Sequence, residues 1–495
     1  MLYRLRNAGY QAYLVGGGVR DVLLGREPKD FDVATNALPE QVREQFRSCH
    51  LIGRRFRLAH VRVGADIIEV ATFRAPPNAD QGADEGTDQG ADEKNDLHRT
   101  DDAQGRAIAK GSASVGRFQP PASGDTSAPG RMPKCGERRD AQEPPSMHVA
   151  GERREGFRMP GATKDGRIMR DNVYGSLEED AWRRDFTINA LYYNIDDFSL
   201  VDYTGGLEDL SAGRLRLIGD PEQRYREDPV RMLRAARFAA KLGFRIAPDS
   251  EAPLFKLGHL LDDISSARLY DETIKLFMGG YAVQTFELLR HYSLFGHLFP
   301  YTEADLAHEE SHFPLMLVSR ALTNTDARIA AGKTTTPAFL YAALLWGAMR
   351  TLAHEMQMQG MNEGEALQEA GNVIVARQVQ RTALPKRFSL PMREIWNLQL
   401  RLTQITGKRP FVTLTHPRFR AAYDFMLLRA EAGEEIQELC DWWTRFQIAE
   451  GDAQQGMVNV VRTGAVASTG KKRTRRSRSK SGKAVTVSPS DDSVE

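Results

Sequence analysis

The spacing of hydrophobic residues gives the N-terminal part of the chain strand-like patterns. The apolar run Ala12-Tyr13-Leu14-Val15 predicts a short buried strand, and Val19 to Leu24 predicts a helix that stops at Gly25. A second strand is predicted through Phe31 and Val33. The chain therefore begins as strand, turn, helix and strand.

Later segments add a hairpin and then a long helical region. Residues 58–63 and 66–73 predict a β-hairpin around Gly64-Ala65. Leu177 to Leu191 begins as a helix, and residues 192–195 and 200–203 resemble paired strands. From about residue 247 to residue 450 the pattern is helical throughout. Its amphipathic segments, separated by proline and glycine breaks, are 267–277, 283–292, 336–348, 392–402 and 419–432.

A compositionally biased segment from about Pro76 to Asp165 interrupts these patterns. It is rich in Gly, Asp, Ala, Pro and Arg and shows no sustained period of 2 or 3.6, so it predicts a disordered insertion without a catalytic role. Residues 80–85 recur as 88–93, which is typical of low-complexity expansion. Because the patterns on both sides match as parts of one site, we expect the insertion to divide one domain.

Composition excludes a membrane protein. Hydrophobic residues make up 41% and charged residues 27% of the 495-residue chain, as in soluble globular proteins. No apolar stretch approaches the roughly 20 residues that span a bilayer, and the N-terminus lacks a signal peptide pattern, so we expect a cytoplasmic protein. Cys49, Cys135 and Cys440 lie far apart without metal-type spacing, which suits a reducing compartment and argues against structural zinc.

The net charge of +1 conceals a basic C-terminus. Residues 471–483 concentrate Lys and Arg in a segment with no apolar residue to bury, which predicts a disordered basic tail. Such tails gain affinity for phosphate backbones by counterion release, so nucleic acid is the favoured partner. A solubilising or lipid-attracted terminus is the alternative.

Two aspartates behind a glycine turn are the main candidates for chemistry. Asp30 and Asp32 follow Gly16-Gly17-Gly18 by about a dozen residues. Strand side chains alternate, so both carboxylates are expected on one face, where they form a ligand pair for Mg²⁺. Backbone N–H groups at the glycine turn can hold a phosphate. Either feature alone is usually a simple turn or strand edge, but together they predict a nucleotidyl-transfer site.

Glu69 is a third candidate carboxylate. It lies on one face of the second hairpin strand, whereas Ile68 and Val70 lie on the other. This position would place the Glu69 carboxylate near the carboxylates of Asp30 and Asp32, as a further candidate ligand for their metal ion. A partly exposed strand glutamate without a metal is the alternative.

Arginine and aspartate residues cluster at two further places. The sequence Arg183-Arg184-Asp185 lies near the start of an apolar helical segment. Farther on, Arg231 and Arg234 stand at i and i+3 of a helix predicted from Glu227 to Phe238, with Asp228 one turn before Arg231. Helical pairs of this kind are mostly surface salt bridges, so the spacing alone assigns no function.

Together these motifs resemble those of the bacterial poly(A) polymerase family, a branch of the class II nucleotidyltransferases that also contains the CCA-adding tRNA enzymes. The resemblance covers roughly residues 10–75 and 170–450. It rests on four signatures in family order: the Gly-Gly-x-Val-Arg-Asp turn, the Asp-x-Asp pair, Arg183-Arg184-Asp185 and Glu227-Asp228-x-x-Arg231. Residues 51–61 are similar to a stretch that separates poly(A) polymerases from CCA-adding relatives. The chain also lacks the His-Asp phosphohydrolase domain of one group of CCA-adding enzymes.

The resemblance implies site residues. The implied catalytic residues are Asp30, Asp32 and Asp185. The implied nucleotide-binding residues are Gly17, Arg20, Arg183, Arg184, Asp228, Arg231 and Arg234. Gly17 and Arg20 would contact phosphates, Arg183-Arg184-Asp185 the ribose, Asp228 and Arg231 the base edge, and Arg234 the region of the triphosphate. Asp30 and Asp32 would hold Mg²⁺ in a two-metal mechanism, with Glu69 as a further candidate ligand.

The implied activity is template-independent polyadenylation, which promotes RNA turnover. An RNA 3′-hydroxyl would attack the α-phosphorus of ATP with release of pyrophosphate, assisted by two metal ions about 4 Å apart. This makes the chain a polynucleotide adenylyltransferase. Asp228 as a hydrogen-bond acceptor and Arg231 as a donor can distinguish nucleotides whose bases have different hydrogen-bonding edges. They do not establish that CTP is refused, so a CCA-adding tRNA nucleotidyltransferase is the alternative.

Two other classes of function compete with polyadenylation. One is an RNA-binding protein on an inactive polymerase fold, against which the paired carboxylates argue because they repel RNA unless a metal is present. The other is nucleotidyl transfer to a small molecule such as an antibiotic, against which the basic tail and the large helical half argue.

The resemblance also implies an α+β fold class, with an N-terminal nucleotidyltransferase-type mixed sheet, an all-helical C-terminal half and a disordered basic tail. The expected units are a catalytic head (1–75 and 166–220), the insertion (76–165), a base-recognising neck (221–265), an RNA-binding body (266–450) and the tail (451–495). Expected partners are ATP, RNA 3′ ends and RNA-degradation or chaperone proteins, with the chain as a monomer. Two departures stand out: the insertion is unusually long, and so few residues precede the first strand that a helix supporting the nucleotide site could be short or absent.

Overall fold

The computed structural model describes residues 1–53, 57–64, 66–75, 148–149, 173–307 and 313–468. The insertion predicted over 76–165 lies outside these ranges except for two residues, His148 and Val149, which form a short strand. The basic segment 471–483 also lies outside them. Within the described ranges, no helix combines the length and the apolar character that crossing a membrane requires.

The head is built on a mixed sheet. Its strands are β1 (Ala12–Val15), β2 (Asp32–Thr35), β3 (Cys49–Ile52), β4 (Leu58–Val63), β5 (Asp66–Thr72), β6 (His148–Val149), β7 (Leu191–Asn194) and β8 (Leu200–Asp202), in the spatial order β3-β4-β5-β2-β1-β7-β8-β6. β1 is antiparallel to both β2 and β7, whereas β2 is parallel to β5. The sheet thus brings β2 between β1 and β5, the strands that carry the glycine turn and the third candidate carboxylate.

Helices cover both faces of this sheet. They are α1 (Leu2–Asn7), α2 (Gly17–Leu23), α3 (Pro39–Gln45), α4 (Leu177–Arg183), a 3₁₀ turn (Thr187–Asn189) and α5 (Gly206–Ser211). Val33 of β2 packs in a core with Leu5 of α1 and Val42 of α3, whereas its neighbour Ala34 packs in a second core with Ala181 of α4. Because strand side chains alternate, Asp32 shares the face of Ala34.

The remainder of the described chain is almost entirely helical. Its elements are β9 (Arg214–Leu215), α6 (Pro221–Glu227), α7 (Val230–Leu242), β10 (Arg245–Ile246), α8 (Pro248–Glu251), α9 (Leu254–Leu257), a 3₁₀ helix (Gly258–Asp263), α10 (Ser266–Phe277), α11 (Ala282–His291), α12 (Phe295–Leu298), α13 (Pro300–Ala307), α14 (Phe313–Ala330), α15 (Pro337–Leu344), α16 (Trp346–Met358), α17 (Glu363–Arg381), α18 (Lys386–Leu402), α19 (Arg409–Leu414), α20 (Phe419–Glu431), α21 (Gln437–Ile448) and α22 (Gly451–Ser468). One buried apolar cluster runs from Val19 of α2 through Leu233 of α7 to Trp396 of α18. This shared core joins the head to the helical half. The α+β fold class is confirmed.

Two predicted boundaries were wrong for identifiable reasons. The helix predicted from Glu227 to Phe238 is two helices, because a residue before proline avoids the helical region; Asp228 precedes Pro229 and is extended, with φ −147° and ψ 91°. Strand β2 begins only at Asp32, because its partner β1 ends at Val15, where Gly16 turns the chain away. Asp30 therefore precedes the strand.

The C-terminal boundary also differs from expectation. The tail was predicted as disordered from residue 451, but residues 451–468 form α22. Val458 of this helix is buried in a small core with Trp443 and Phe446 of α21. Burial of apolar side chains such as Val458 against α21 stabilises α22 in the segment that was predicted to be disordered.

Candidate active site

Two charged side chains lie close to the glycine turn. Gly16 has φ 75°, which favours glycine, and a Cβ placed on it would lie 3.7 Å from both Arg184 Nη1 and Asp32 Oδ2. At Gly18 a Cβ would lie 3.1 Å from the carbonyl oxygen of Asp30. The turn thus fits closely against the Asp-x-Asp segment, and its second residue, Gly17, begins α2 at the same place.

Negative charge is concentrated around Asp32. In the sheet, Asp32 is in register with Val15 on one side and with Glu69 on the other. Burial raises the pKa of the Asp32 carboxyl above its usual value, and the charges of Glu69 and Asp30 raise it further, whereas Arg184 lowers it. Three carboxylates with one opposing arginine form an environment that a divalent cation would stabilise.

Asp30 and Asp32 offer carboxylate oxygens that fit a divalent cation, but the described residues do not form a complete site for one. Within the described ranges, no group of three or more His, Cys, Asp and Glu side chains converges closely enough to hold a metal ion alone. A cation at Asp30 and Asp32 would therefore take its other ligands from water and from nucleotide phosphates, as Mg²⁺ commonly does. Glu69 lies beside Asp32, but the three carboxylates are not close enough together to hold a metal ion by themselves.

Arg184 is held rigidly beside the glycine turn. Its Nε and Nη2 atoms donate to Asp180 Oδ2 at 3.2 and 3.0 Å, and Nε also donates to the Tyr192 hydroxyl at 2.9 Å. Burial alone would lower the pKa of Arg184, but Tyr192 and Asp180 outweigh it and raise that pKa. A permanently charged guanidinium therefore extends toward Gly16 and Asp32.

Asp185 joins the head to α7 through its bond to Arg234. Its Oδ2 accepts from Arg234 Nε at 2.9 Å, and its Oδ1 accepts from Asn189 Nδ2 at 3.2 Å and from the Phe186 backbone at 2.8 Å. Burial alone would raise the pKa of Asp185, but Arg234 and these hydrogen bonds lower it to about 2. The carboxylate is therefore ionised and fully engaged with protein partners.

Arg20 lies beneath the turn. It is 2% exposed, and it donates to Asp21 Oδ1 through Nε at 2.8 Å and to Asn189 Oδ1 through Nη1 at 2.6 Å. Asn189 thus connects Arg20 to Asp185. The phosphate contact inferred for Arg20 would require the side chain to exchange these partners, and it stays a prediction.

A buried ion cluster lies beneath Arg183 and Arg184. Glu227 Oε2 accepts from Arg224 Nη1 and from Arg231 Nη1, each at 3.0 Å. Arg224 Nη2 also donates to the carbonyl oxygens of Arg183 and Arg184 at 2.8 and 2.5 Å. Helix α6 therefore holds the end of α4, where these two arginines lie.

Among the described residues, Asp228 and Arg231 bond to each other only through the backbone, where the Arg231 N–H donates to the Asp228 carbonyl oxygen at 3.0 Å, and their side chains have different partners. Arg231 is buried and bound to Glu227, whereas Asp228 Oδ2 accepts from Arg268 Nη2 of α10 at 2.7 Å. The prediction that Asp228 and Arg231 lie one turn apart on the same helix is wrong, because Asp228 precedes Pro229 and lies between α6 and α7. Their contacts with the base stay a prediction.

Five residues that organise the site were not identified from the sequence: Asp180, Asn189, Tyr192, Arg224 and Arg268. Asn189 follows Asp185 by four residues, and Arg224 precedes Glu227 by three, spacings that place side chains near each other in helical segments. Arg268 and Tyr192 had no comparable local signal, because their partners lie on separate elements.

Family models match three parts of the chain. The model described as the poly A polymerase head domain matches residues 12–107 and 139–216. The model described as a probable RNA and SrmB-binding site of polymerase A matches residues 243–306, and the one described as the polymerase A arginine-rich C-terminus matches residues 359–480.

Individual relatives agree with the family models. The chain is 43% identical to poly(A) polymerase I of Escherichia coli O6:H1 over 465 residues, which cover 93% of this chain and 84% of that protein. It is 29% identical to the CCA-adding enzyme of Bacillus pumilus over 58% of this chain and 51% of that enzyme. The crystal structure of the Bacillus stearothermophilus CCA-adding enzyme in complex with CTP shares the fold, with a TM-score of 0.50, 22% identity, and coverage of 90% of this chain and 80% of that one. The chain therefore belongs to the bacterial poly(A) polymerase family.

Proposed function

We propose that this enzyme transfers AMP from ATP to the 3′-hydroxyl of RNA without a template and releases pyrophosphate. The observation that carries this proposal is that the Asp32 carboxylate and the Arg184 guanidinium both lie beside Gly16 of the glycine turn. This arrangement offers an anionic cation site and a fixed positive charge at one turn, which nucleotidyl transfer from a triphosphate requires. The identity to poly(A) polymerase I supports RNA as the acceptor.

Asp30 and Asp32 would hold Mg²⁺, and Glu69 would add negative charge beside them. When bound, two such ions activate the attacking hydroxyl and stabilise the leaving oxygens. Burial first, and then the charges of Glu69 and Asp30, raise the pKa of Asp32 above its usual value, which supports a cation as the partner of this cluster. These residues therefore fit the cation that the reaction needs.

The proposed nucleotide contacts have different degrees of structural support. Gly17 and Arg184 border the turn directly, so they can meet phosphates without rearrangement. Asp185 and Arg234 are bound to each other. The side chains of Arg20 and Arg231 belong to the networks described above, and Arg183 joins the ion cluster through its carbonyl oxygen. For these five residues we propose contacts that form as nucleotide replaces the protein partners, with Asp228 and Arg231 reading the base edge.

The larger units carry the remaining roles. We propose that residues 221–265 form the neck that recognises the base, that residues 266–450 bind RNA, and that residues 451–495 add a basic segment which attracts RNA phosphates. A cytoplasmic monomer that acts with RNA-degradation or chaperone proteins, and so promotes RNA turnover, completes the proposal.

CCA addition remains the second candidate because CCA-adding enzymes share this fold. The Bacillus pumilus enzyme is 29% identical over 58% of this chain, compared with 43% over 93% for poly(A) polymerase I. The similarity to poly(A) polymerase I is both greater and more extensive, so polyadenylation is favoured.

The test is extension of a 3′-hydroxyl RNA, with each nucleotide supplied separately. Long ladders with ATP alone support polyadenylation. Addition that stops after C and A on a tRNA lacking its 3′ end supports the CCA-adding alternative. Asp66→Ala, which changes an exposed aspartate at the start of β5, is the matched control for aspartate substitutions at the site and should extend RNA normally.

A further inference from the structure

A row of polar residues crosses the sheet from Asp32 toward its β3 edge. Asp32 of β2 is in register with Glu69 of β5, Glu69 with His60 of β4, and His60 with His50 of β3. Residues in register on neighbouring strands present their side chains on the same face. His60 belongs to the segment 51–61, to which the site described above gives no role.

His60 makes a specific contact within this row. Its Nε2 atom lies 3.1 Å from Glu69 Oε1, and the His60 side chain is 24% exposed compared with 52% for Glu69. Carboxylate oxygens only accept hydrogen bonds, so the proton of this contact lies on His60 Nε2. A half-exposed glutamate has several rotatable bonds, and this hydrogen bond restricts it to one position.

The position of Glu69 affects Asp32. Asp32 and Glu69 are directly paired in register across the neighbouring strands β2 and β5, so their side chains lie side by side on one face of the sheet. The Glu69 carboxylate is therefore held close enough to add to the negative potential that a cation at Asp32 would meet. If Glu69 turned into solvent, water and salt would screen much of its charge.

We propose that His60 is a positioning residue that holds the Glu69 carboxylate beside Asp32 and thereby strengthens cation binding at Asp30 and Asp32. This inference rests on the proposed function, because it assumes a cation at those aspartates. Residues that hydrogen-bond to groups around a metal typically contribute 10-fold to 100-fold in metal affinity or activity. Because His60 acts through Glu69, we expect about a tenfold effect, at the lower end of that range.

Mn²⁺ is a suitable probe, because it accepts the same carboxylate and phosphate ligands as Mg²⁺ and is visible by electron paramagnetic resonance. The full-length protein is titrated with Mn²⁺ in the presence of an ATP analogue whose α–β bridge is a methylene group. The difference in bound Mn²⁺ between the unsubstituted protein and Asp32→Ala defines the metal that is held by the site. His60→Ala should weaken this binding about tenfold, and His60→Gln, which keeps an N–H donor, should restore most of it.

Two controls separate positioning from a general structural effect. His50→Ala, which removes the histidine next in the row but has no hydrogen bond to Glu69 among the described residues, should leave Mn²⁺ affinity unchanged. In a Glu69→Gln background, His60→Ala should cause no further loss, because its effect passes through the Glu69 charge. In extension assays His60→Ala should raise the Mg²⁺ concentration for half-maximal rate, with the KM for ATP unchanged at saturating Mg²⁺.

The inference is overturned if His60→Ala binds Mn²⁺ like the unsubstituted protein, or if His60→Gln is as impaired as His60→Ala. The first result would make the contact an ordinary cross-strand pair on the surface. A different failure, in which Asp32→Ala removes no bound Mn²⁺, would refute the metal site of the proposed function itself. The two failures are therefore distinguishable.

Discussion

Removal of the Glu227 charge should destabilise the junction of head and neck strongly. Glu227 receives hydrogen bonds from both Arg224 and Arg231, and the side chains of the three residues are 5%, 2% and 10% exposed. Glu227→Gln keeps the size of the side chain but leaves two guanidinium groups buried without a counter-charge. The pKa of Arg224 is already lowered to about 10, through burial first and then the charge of Arg231, so this site has little tolerance for further loss of negative charge.

The expected cost follows from the loss of one partner of a buried ion pair. Such a loss typically destabilises a protein by about 3–5 kcal/mol, because an uncompensated charge remains in the interior. Arg224 also holds the carbonyl oxygens of Arg183 and Arg184, so the substitution should loosen Arg184 beside the glycine turn. We therefore expect lower stability together with a higher KM for ATP.

The assay is urea unfolding followed by circular dichroism, with the first transition compared among variants because a chain of this size need not unfold in two states. Glu222→Gln is the matched control. It lies on the same helix and pairs with Arg226, but both side chains are about half exposed, so its removal should change stability little. If Glu227→Gln proves as mild as Glu222→Gln, the assignment of the cluster as a buried, interdependent unit is refuted.

Three other predictions follow from the site. Gly18→Ala should reduce extension because its Cβ would press on the Asp30 carbonyl oxygen at 3.1 Å. The control is Gly456→Ala, which changes an exposed glycine of helix α22 with open space around it, and equal kcat and KM values for the two variants would contradict the prediction. The pKa of Asp185 is lowered to about 2 in the folded protein, so its contribution to stability is present above the unfolded value of about 3.9 and is lost as the pH falls from about 4 to 2; Arg234→Met should flatten this part of the acid-unfolding profile, and an unchanged profile would contradict the pairing. Arg184→Lys should raise the KM for ATP about tenfold, since lysine cannot keep the hydrogen bonds to Asp180 and Tyr192 while extending toward the turn, and an unchanged KM would exclude Arg184 from phosphate binding.

Local periodicity was sufficient to predict much of the fold. Strand β1 and the β4–β5 hairpin follow from short apolar and alternating runs, and α10 and α11 follow from amphipathic spacing, because each pattern is contained within its own element. The break at Asp228–Pro229 was also readable, since proline restricts the preceding residue. There the acid and base spacing suggested a continuous helix that the proline excludes.

The side-chain networks of the site could not be predicted in the same way. Arg20 and Asn189 are 169 residues apart, and Asp185 and Arg234 are 49 residues apart. Neither pairing has a local signal, because it depends on how the sheet and the neck pack together. The start of β2 likewise depends on where its partner β1 ends, so the position of Asp30 outside the strand required the three-dimensional structure.

The most direct test of the central claim is to measure RNA binding and RNA extension in parallel for Asp32→Asn. This substitution keeps the shape of the side chain and removes the charge that a cation would meet beside the glycine turn. The account predicts that the variant binds a 3′-hydroxyl RNA as the unsubstituted protein does but adds no nucleotides from ATP in the presence of Mg²⁺. Extension at an undiminished rate would contradict it and would move the chemistry away from Asp32.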